Sequence, residues 1–281
     1  ASAHLFLFLF LITIFQTDFS KFKIDGTREW TRTLVTPTSN SYQASKSARG
    51  YTSANQLAIS TDDFIYAYGH TSTQRYGYDG GYGIIPNLFY GQSHKGSVDL
   101  FVAQYDAKGN RNWATLVGSG QADYSRKIVT TDDGSTYIAG VTSGPSTTFS
   151  YIYDSDLHGF NGIPHISRNS TSDIFLVKIG SDGIINWTNL IGSQEGDSVS
   201  DLIIGEDNSI YLVGSVGGRI DELNNTESER FISKFKIDGT REWIKTVGHI
   251  GAELDLLPSG TSSKYSDFYS QIININSSIE L

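Results

Sequence analysis

All four tryptophans of the 281-residue chain close the same short phrase, and this repetition constrains the fold more than any other feature. The phrase reads KIDGTREW at Trp30 and again at Trp243, DAKGNRNW at Trp113 and GSDGIINW at Trp187. A short apolar strand precedes it, as in DIFLVKIG, and two strands follow, as in YSRKIVTTDDGSTYIAGV. A single four-stranded unit cannot bury both of its faces and must stack on neighbours. The sequence therefore predicts an all-β chain whose four four-stranded repeats form the blades of a β-propeller.

Composition agrees with short strands and excludes several classes of partner and active site. The chain has 29 Gly, 16 Tyr and 15 Phe against 5 Pro, a balance typical of strands joined by tight turns. Its net charge is −9 without a basic cluster, so we expect no nucleic-acid partner. It contains no cysteine, which excludes disulfides, thiolate nucleophiles and cysteine-based zinc sites.

The repeat resembles a known bacterial family. The phrase D-x-F-x-x-K-x-x-x-x-G-x-x-x-W, followed further along by D-x-x-G-x-x-Y-x-x-G, is similar to the bacterial β-propeller repeats abbreviated SBBP, over about residues 18 to 276. The strand order resembles that of NHL-type propellers, which makes KIVTT strand a, TYIAGV strand b, DIFLVKI strand c and NWTNLIG strand d. The resemblance implies a secreted or surface protein without established catalysis. The family has six to eight blades, whereas this chain carries four units.

Two residue types in the repeat have packing and binding interpretations. Gly69, Gly140 and Gly214 each follow a strand-b tyrosine by three positions, where a missing side chain would let an adjacent blade approach closely. The tryptophans are expected to fill the space between blades, with sugar-stacking platforms as the alternative.

The lengths of the connections predict two different edges. Turns between strands a and b and between c and d are short and Asp-rich, as in TTDDGS and IDGTRE. The long segments, residues 71 to 98, 144 to 172, 218 to 229, 36 to 54 and 249 to 266, all join b to c or d to a. In an up-and-down blade these emerge on one side, so one face should be bare and the other covered by loops suited to binding.

The two longest loops supply the candidate binding residues. Both are rich in Tyr and Gly, which suits recognition because aromatic rings give contact area at low entropic cost. The alternative is that the rings cover one another within a large loop. The candidates are Arg75, Tyr76, Tyr78, Tyr82, Tyr90, His94, Tyr151, Tyr153, Asp154, Asp156, His158 and Arg168.

Motifs for metals and catalysis are incomplete. Asp154, Asp156 and His158 resemble the start of a calcium loop, but His165 stands where such a loop needs Glu. GQSHKG is not G-x-S-x-G, and no phosphate-binding loop is present, so we expect no metal, cofactor or catalytic residue.

The sequence favours a non-catalytic extracellular or cell-surface module that binds a protein or glycan. The alternatives are a glycan-acting propeller hydrolase or lectin, and a self-assembling surface or fibre subunit.

The two ends of the chain predict a composite blade. Within residues 1 to 17, the eleven-residue apolar run LFLFLFLITIF is too short for a membrane-spanning helix, and the segment lacks a basic n-region. We expect them to form an apolar strand, with a targeting remnant as the alternative, and residues 18 to 281 to form the propeller repeats. Residues 266 to 276 match strand a. One blade should therefore combine N- and C-terminal strands, closing a ring or joining copies into a homo-oligomer by strand exchange.

Overall fold

The computed structural model describes residues 7–13, 16–34, 52–72, 89–144, 159–166, 171–220 and 228–249. The chain divides into two compact units, Ala1–Gly118 and Ser119–Leu281. All regular secondary structure in the described ranges is strand, arranged as antiparallel sheets, which confirms the all-β prediction. Those ranges contain no helix long and apolar enough to cross a membrane.

The first unit contains two sheets. The first sheet has the order β1-β2-β3 and the second sheet the order β4-β5-β6-β7, so each strand pairs with its neighbour in the chain. The strands are β1 (Leu7–Thr13), β2 (Gln16–Phe22), β3 (Arg28–Thr33), β4 (Thr52–Ile59), β5 (Ile65–Ser72), β6 (Val98–Tyr105) and β7 (Arg111–Val117).

The second unit contains the third and fourth sheets, each of four strands in chain order. The third sheet follows the predicted a-b-c-d sequence, and its strand a begins at Asp123 instead of Lys127. The strands are β8 (Asp123–Thr130), β9 (Thr136–Ser143), β10 (Ser172–Ile179), β11 (Ile185–Ile191), β12 (Ser198–Ile204), β13 (Ile210–Val216), β14 (Glu229–Phe235) and β15 (Arg241–His249).

The apolar N-terminal run supplies strand β1. It pairs antiparallel with β2, with Leu7 opposite Phe22 and Thr13 opposite Gln16. It therefore occupies the position of a b strand beside the c strand around Phe19. The C-terminal segment predicted to complete this blade, residues 266 to 276, lies outside the described residues.

Tight turns join a to b and c to d by the same backbone geometry. The third turn residue is left-handed, with Gly26 at φ 82° and Gly239 at φ 90°, and Asn208 takes this conformation at φ 59°. This is the residue that closes a three-residue hairpin loop. The Thr27 N–H donates to the Asp25 carboxylate at 2.9 Å, which holds the pKa of Asp25 below its usual value.

The glycines of strand b are required by their own sheet. A Cβ on Gly140 would overlap the Tyr124 carbonyl oxygen on β8 and the Phe175 ring on β10. A β-bulge between Ser125 and Lys127 in β8 accompanies this close approach. Gly69 and Gly214 face strand-a carbonyls in the same way. We expected these glycines to let an adjacent blade approach closely, and that expectation was wrong. The close neighbours are strands of the same sheet, although the role of the glycines is packing, as expected.

A tryptophan link joins the two sheets of the first unit. The Trp30 indole N–H donates to the Ala107 carbonyl at 3.2 Å, and a Cβ on Gly109 would lie 3.0 Å from the Trp30 ring. Two residues further, the Arg32 guanidinium donates to the carbonyls of Gly109 (2.7 Å) and Lys108 (2.9 Å). An outer strand of one sheet thus binds the c–d turn of the next.

The second unit repeats this tryptophan link. The Trp187 indole N–H donates to the Ile237 carbonyl at 3.1 Å, and the Asn189 amide donates to the Gly239 carbonyl at 2.8 Å. A Cβ on Gly239 would lie 2.8 Å from the Trp187 ring. Both rings therefore pack between sheets. In both units, a tryptophan on the outer strand of one sheet contacts the c–d turn of the other sheet.

Each unit buries an apolar core between its sheets. In the first unit the core includes Phe19, Phe101 and Tyr105, with the Phe19 and Tyr105 ring centroids 4.8 Å apart. In the second unit it includes Leu176, Leu212 and many aliphatic neighbours from both sheets. Burial raises the pKa of the Tyr68 hydroxyl in the second sheet to about 12.

Replacing Trp187 by phenylalanine should weaken the tryptophan link without emptying its site. The loss of one solvent-exposed indole hydrogen bond to the Ile237 carbonyl is expected to lower the free energy of unfolding by about 1 kcal/mol or less. Urea unfolding checks this value. Trp243→Phe, measured in protein dilute enough to be monomeric, is the control, because within one chain the Trp243 ring contacts Tyr211 and Lys245 of its own sheet. Equal losses in the two variants would contradict the link.

Candidate functional site

The long connections leave each four-stranded sheet at one edge, where strands b and d end and strands c and a begin. We call this the looped edge. Strand c starts there with an aspartate two residues before a core phenylalanine, Asp99 before Phe101 and Asp173 before Phe175. Both aspartates are fully buried. A buried carboxylate requires hydrogen-bond donors, and the long loops supply them.

Asp99 fixes the end of the first long loop. Its carboxylate accepts hydrogen bonds from His94 Nδ1 (3.0 Å), Lys95 N (2.8 Å) and Gly96 N (3.2 Å). The His94 side chain is itself buried beside Asp99. Three consecutive loop residues are thereby tied to the start of β6.

Asp173 fixes the second long loop in the same way. Its carboxylate accepts hydrogen bonds from His165 Nδ1 at 3.2 Å and from Ile166 N at 2.9 Å. The His165 side chain is buried. The same chemistry therefore recurs in sheets of the two different units.

A short hairpin precedes each of these histidines. Phe89 pairs with Gln92, and Phe160 pairs with Ile163, through reciprocal backbone hydrogen bonds of 2.9 to 3.0 Å. The turn residues are left-handed, Tyr90-Gly91 in one and Asn161-Gly162 in the other. These dihedrals are typical of a type I′ turn.

The hairpin phenylalanines attach the loops to the sheets. Phe89 lies 4.8 Å from Phe101, and Phe160 stacks on Phe175 at 4.4 Å between ring centroids. Both are buried. Together with the histidines they define a stem of sequence F-x-G-x-x-H, followed by D-x-F, which the sequence analysis missed.

Of the candidate binding residues, the structure describes Tyr90 and His94. The Tyr90 ring lies under the Arg111 guanidinium at 3.5 Å, and its hydroxyl is 3.2 Å from that of Tyr105. Both candidates therefore belong to the loop stem. Outside the described residues lie Arg75, Tyr76, Tyr78, Tyr82, Tyr151, Tyr153, Asp154, Asp156, His158 and Arg168.

Further carboxylates hold the d-to-a connections of the second unit. Asp123 accepts from Ser119 N at 2.7 Å, and Asp197 accepts from Ser193 N at 2.8 Å and Gly217 N at 3.1 Å. Asp173 and Asp197 both approach Gly192. Burial, assisted by the neighbouring charge of Asp173, raises the pKa of Asp197 to about 6.

This arrangement can hold loops in a fixed geometry. The buried carboxylates at the looped edge accept hydrogen bonds from backbone N–H groups, serine hydroxyls and histidine rings of the connections they terminate. In the described part of the chain no group of three or more His, Cys, Asp or Glu side chains is placed to hold a metal ion.

A cleft lies at the opposite edge of the second unit, among the tight turns. It encloses about 400 Å³ and is lined in part by Thr131, Asp133, Tyr137, Asn208 and Ile237. The Asp133 carboxylate already accepts hydrogen bonds from the Thr131 hydroxyl at 2.6 Å and from Ser135 N at 2.9 Å. The Asp133 carboxylate thus stabilises its own turn.

Comparisons with known proteins agree with a repeat architecture. No protein-family model matches the chain. An uncharacterised WD repeat-containing protein of Acanthamoeba polyphaga mimivirus is 22% identical over 171 residues, and the match covers 56% of this chain and 12% of that protein. The four-stranded antiparallel sheets and this similarity fit a repeat β-propeller.

Similar solved structures include two mutants of the Synechocystis apocarotenoid oxygenase. Both give a TM-score of 0.37, at 11% and 10% sequence identity. The match covers 86% of this chain and 46% of each oxygenase chain, so the chain spans less than half of their length.

Proposed function

We propose that the protein is a non-catalytic binding module that holds a protein or glycan partner on loops at the looped edge. The observation that carries this proposal is the burial of Asp99 and Asp173, each accepting hydrogen bonds from the end of a long loop. Recognition loops work best on a rigid scaffold, because less conformational entropy is lost on binding.

Loop composition supports the same function. The first loop contains RYGYDGGYG and the second contains FSYIYDSD, both dense in tyrosine and glycine. Tyrosine rings offer large contact areas with few rotatable bonds, and their hydroxyls can pair with polar groups of a protein or sugar. Both stems follow these segments in the chain, so each stem anchors the C-terminal end of a tyrosine-rich loop.

A binding role fits the looped edge better than hydrolysis. Glycoside hydrolysis needs two carboxyl groups flanking the scissile bond, one of them able to donate a proton to it. Asp99, Asp173 and Asp197 are instead buried and engaged with loop N–H groups. The proposal invokes no cofactor.

The proposed location is extracellular or on a cell surface. Support comes from the resemblance of the D-x-F and Trp-bearing phrases to SBBP-type repeats of secreted bacterial proteins. On this proposal the partner is met outside the cell.

A pair of deletions tests the function. Deleting residues 76 to 87 leaves the hairpin at Phe89 in place, so the thermal midpoint should stay within about 5 °C while binding on a glycan or protein array is lost. Deleting residues 76 to 92 also removes Phe89 and Gln92. The Gln92 side chain donates a hydrogen bond to the Ala114 carbonyl and accepts one from the Leu116 N–H, so this deletion should destabilise the fold. Unchanged array binding by the shorter deletion would contradict the proposal.

Enzyme assays address the alternative directly. The intact protein is expected to show no turnover of a panel of chromogenic glycosides. Turnover that disappears on substituting a single loop carboxylate, Asp154→Asn or Asp156→Asn, would replace the binding proposal with a glycan hydrolase.

A further inference from the structure

The peptide KIDGTREW occurs twice, and its two copies have different surroundings. In the second copy Trp187 covers the turn, and Ile237 is 39% exposed. In the first copy Ile24 is 81% exposed, the most exposed large apolar side chain among the described residues. A Cβ on Gly26 would meet nothing within 4 Å in the described part of the chain, whereas one on Gly239 meets the Trp187 ring.

The occupant of such a turn is known from the tryptophan links within the chain. Each link places an indole ring against the turn glycine and an indole N–H on the first turn carbonyl. Each also places a donor from two residues further, Arg32 or Asn189, on the last turn carbonyl. The turn at residues 24 to 26 has the same sequence as the covered turn at residues 237 to 239, so it presents the same groups.

The outer strand of the fourth sheet carries the complementary groups. β15 contains Trp243, and two residues further Lys245 supplies an ammonium donor. The described contacts of the Trp243 side chain, which include Tyr211, Lys245 and the cluster of Val213 and Ile232, all lie within its own sheet. No hydrogen bond joins its indole N–H to another described residue.

We propose that the turn at residues 24 to 26 is a docking surface for Trp243 and Lys245 of a second copy of this chain. The argument is continuity with an interface already present: a turn of identical sequence binds a tryptophan in the second unit. The chain carries both halves of this interface on different sheets, as head-to-tail association requires. Docking would also cover the exposed Ile24 side chain.

Cross-linking between copies tests this interface cleanly because the chain contains no cysteine. Asp25→Cys and Lys245→Cys are made in separate proteins, which are mixed and treated with a short bifunctional maleimide. A cross-linked dimer is expected in the mixture and in neither variant alone. A single chain carrying Asn189→Cys and Asp238→Cys is the benchmark, because these residues hold the positions in the existing link that Lys245 and Asp25 would hold in the proposed one.

Two results would overturn the inference. One is a mixture that yields no dimer under conditions in which the benchmark pair cross-links. The other is a chain carrying both Asp25→Cys and Lys245→Cys that gives only an internally cross-linked monomer at low concentration.

Sedimentation over a concentration series gives a second readout. Ile24→Ser should shift the association midpoint to about fivefold higher protein concentration, because the equivalent Ile237 stays 39% exposed beneath Trp187 and docking would bury only part of the Ile24 side chain. Ile184→Ser is the matched control, because Ile184 is 61% exposed and also lies in a c–d turn. Equal behaviour of the two variants and the parent protein would contradict the proposed surface.

Discussion

Replacing Gly140 by alanine is expected to lower the free energy of unfolding by about 3 kcal/mol, the upper end of the range for overpacking a core. The new methyl group would overlap the Tyr124 carbonyl oxygen on one neighbouring strand and the Phe175 ring on the other. Relief would require the bulge in β8 to open and Phe175 to leave its stack with Phe160. Urea unfolding at fixed pH measures the change.

Gly196→Ala is the control for this result. A Cβ at Gly196 meets nothing within 4 Å, and its backbone is not left-handed. Alanine there should leave stability unchanged or raise it by up to about 1 kcal/mol, because it restricts the unfolded chain. Similar losses at both positions would show that the strand-b site can relax and that its glycine is not required.

The second large effect is a dependence of stability on pH. The pKa of Asp197 is raised from 3.8 to about 6 in the folded protein. A raised pKa means that folding favours the protonated carboxyl. The stabilisation that comes from protonated Asp197 is therefore fully present below about pH 4. It is lost as the pH rises through about 6, which lowers the free energy of unfolding by about 3 kcal/mol.

Asp197→Asn should remove this pH dependence. The amide keeps an oxygen that can accept from Ser193 N or Gly217 N, and it carries no charge beside Asp173. Denaturant unfolding between pH 4 and pH 7.5 is expected to show a smaller decline for the variant than for the parent protein. Parallel profiles would mean that Asp197 keeps its ordinary pKa in the folded state.

The strand framework was predictable because the repeat fixes it. The Trp-bearing phrase identified strands c and d, and the D-x-x-G turn identified strands a and b, in the order that the structure shows. Each such signal is local. Hydrophobic alternation and a left-handed turn residue act within a few positions, so one copy of the sequence is enough to read them.

The loop stems were harder to predict because their partners are distant in sequence. The motif F-x-G-x-x-H occurs twice, but His94 lies five residues before its aspartate and His165 lies eight before its own. The variable spacing hides the shared chemistry. The neighbour of Gly140 was likewise misjudged, because a β-bulge leaves no clear mark in sequence.

The tryptophan link also bears on how such a chain can change in length over evolution. Within eight residues, KIDGTREW encodes a turn that accepts a tryptophan and a tryptophan able to dock on another turn. A duplicated gene segment spanning one repeat would therefore arrive with both contacts already encoded, and the flanking repeats would need no compensating substitutions. The same eight residues at two distant places in the chain are what such a duplication would leave.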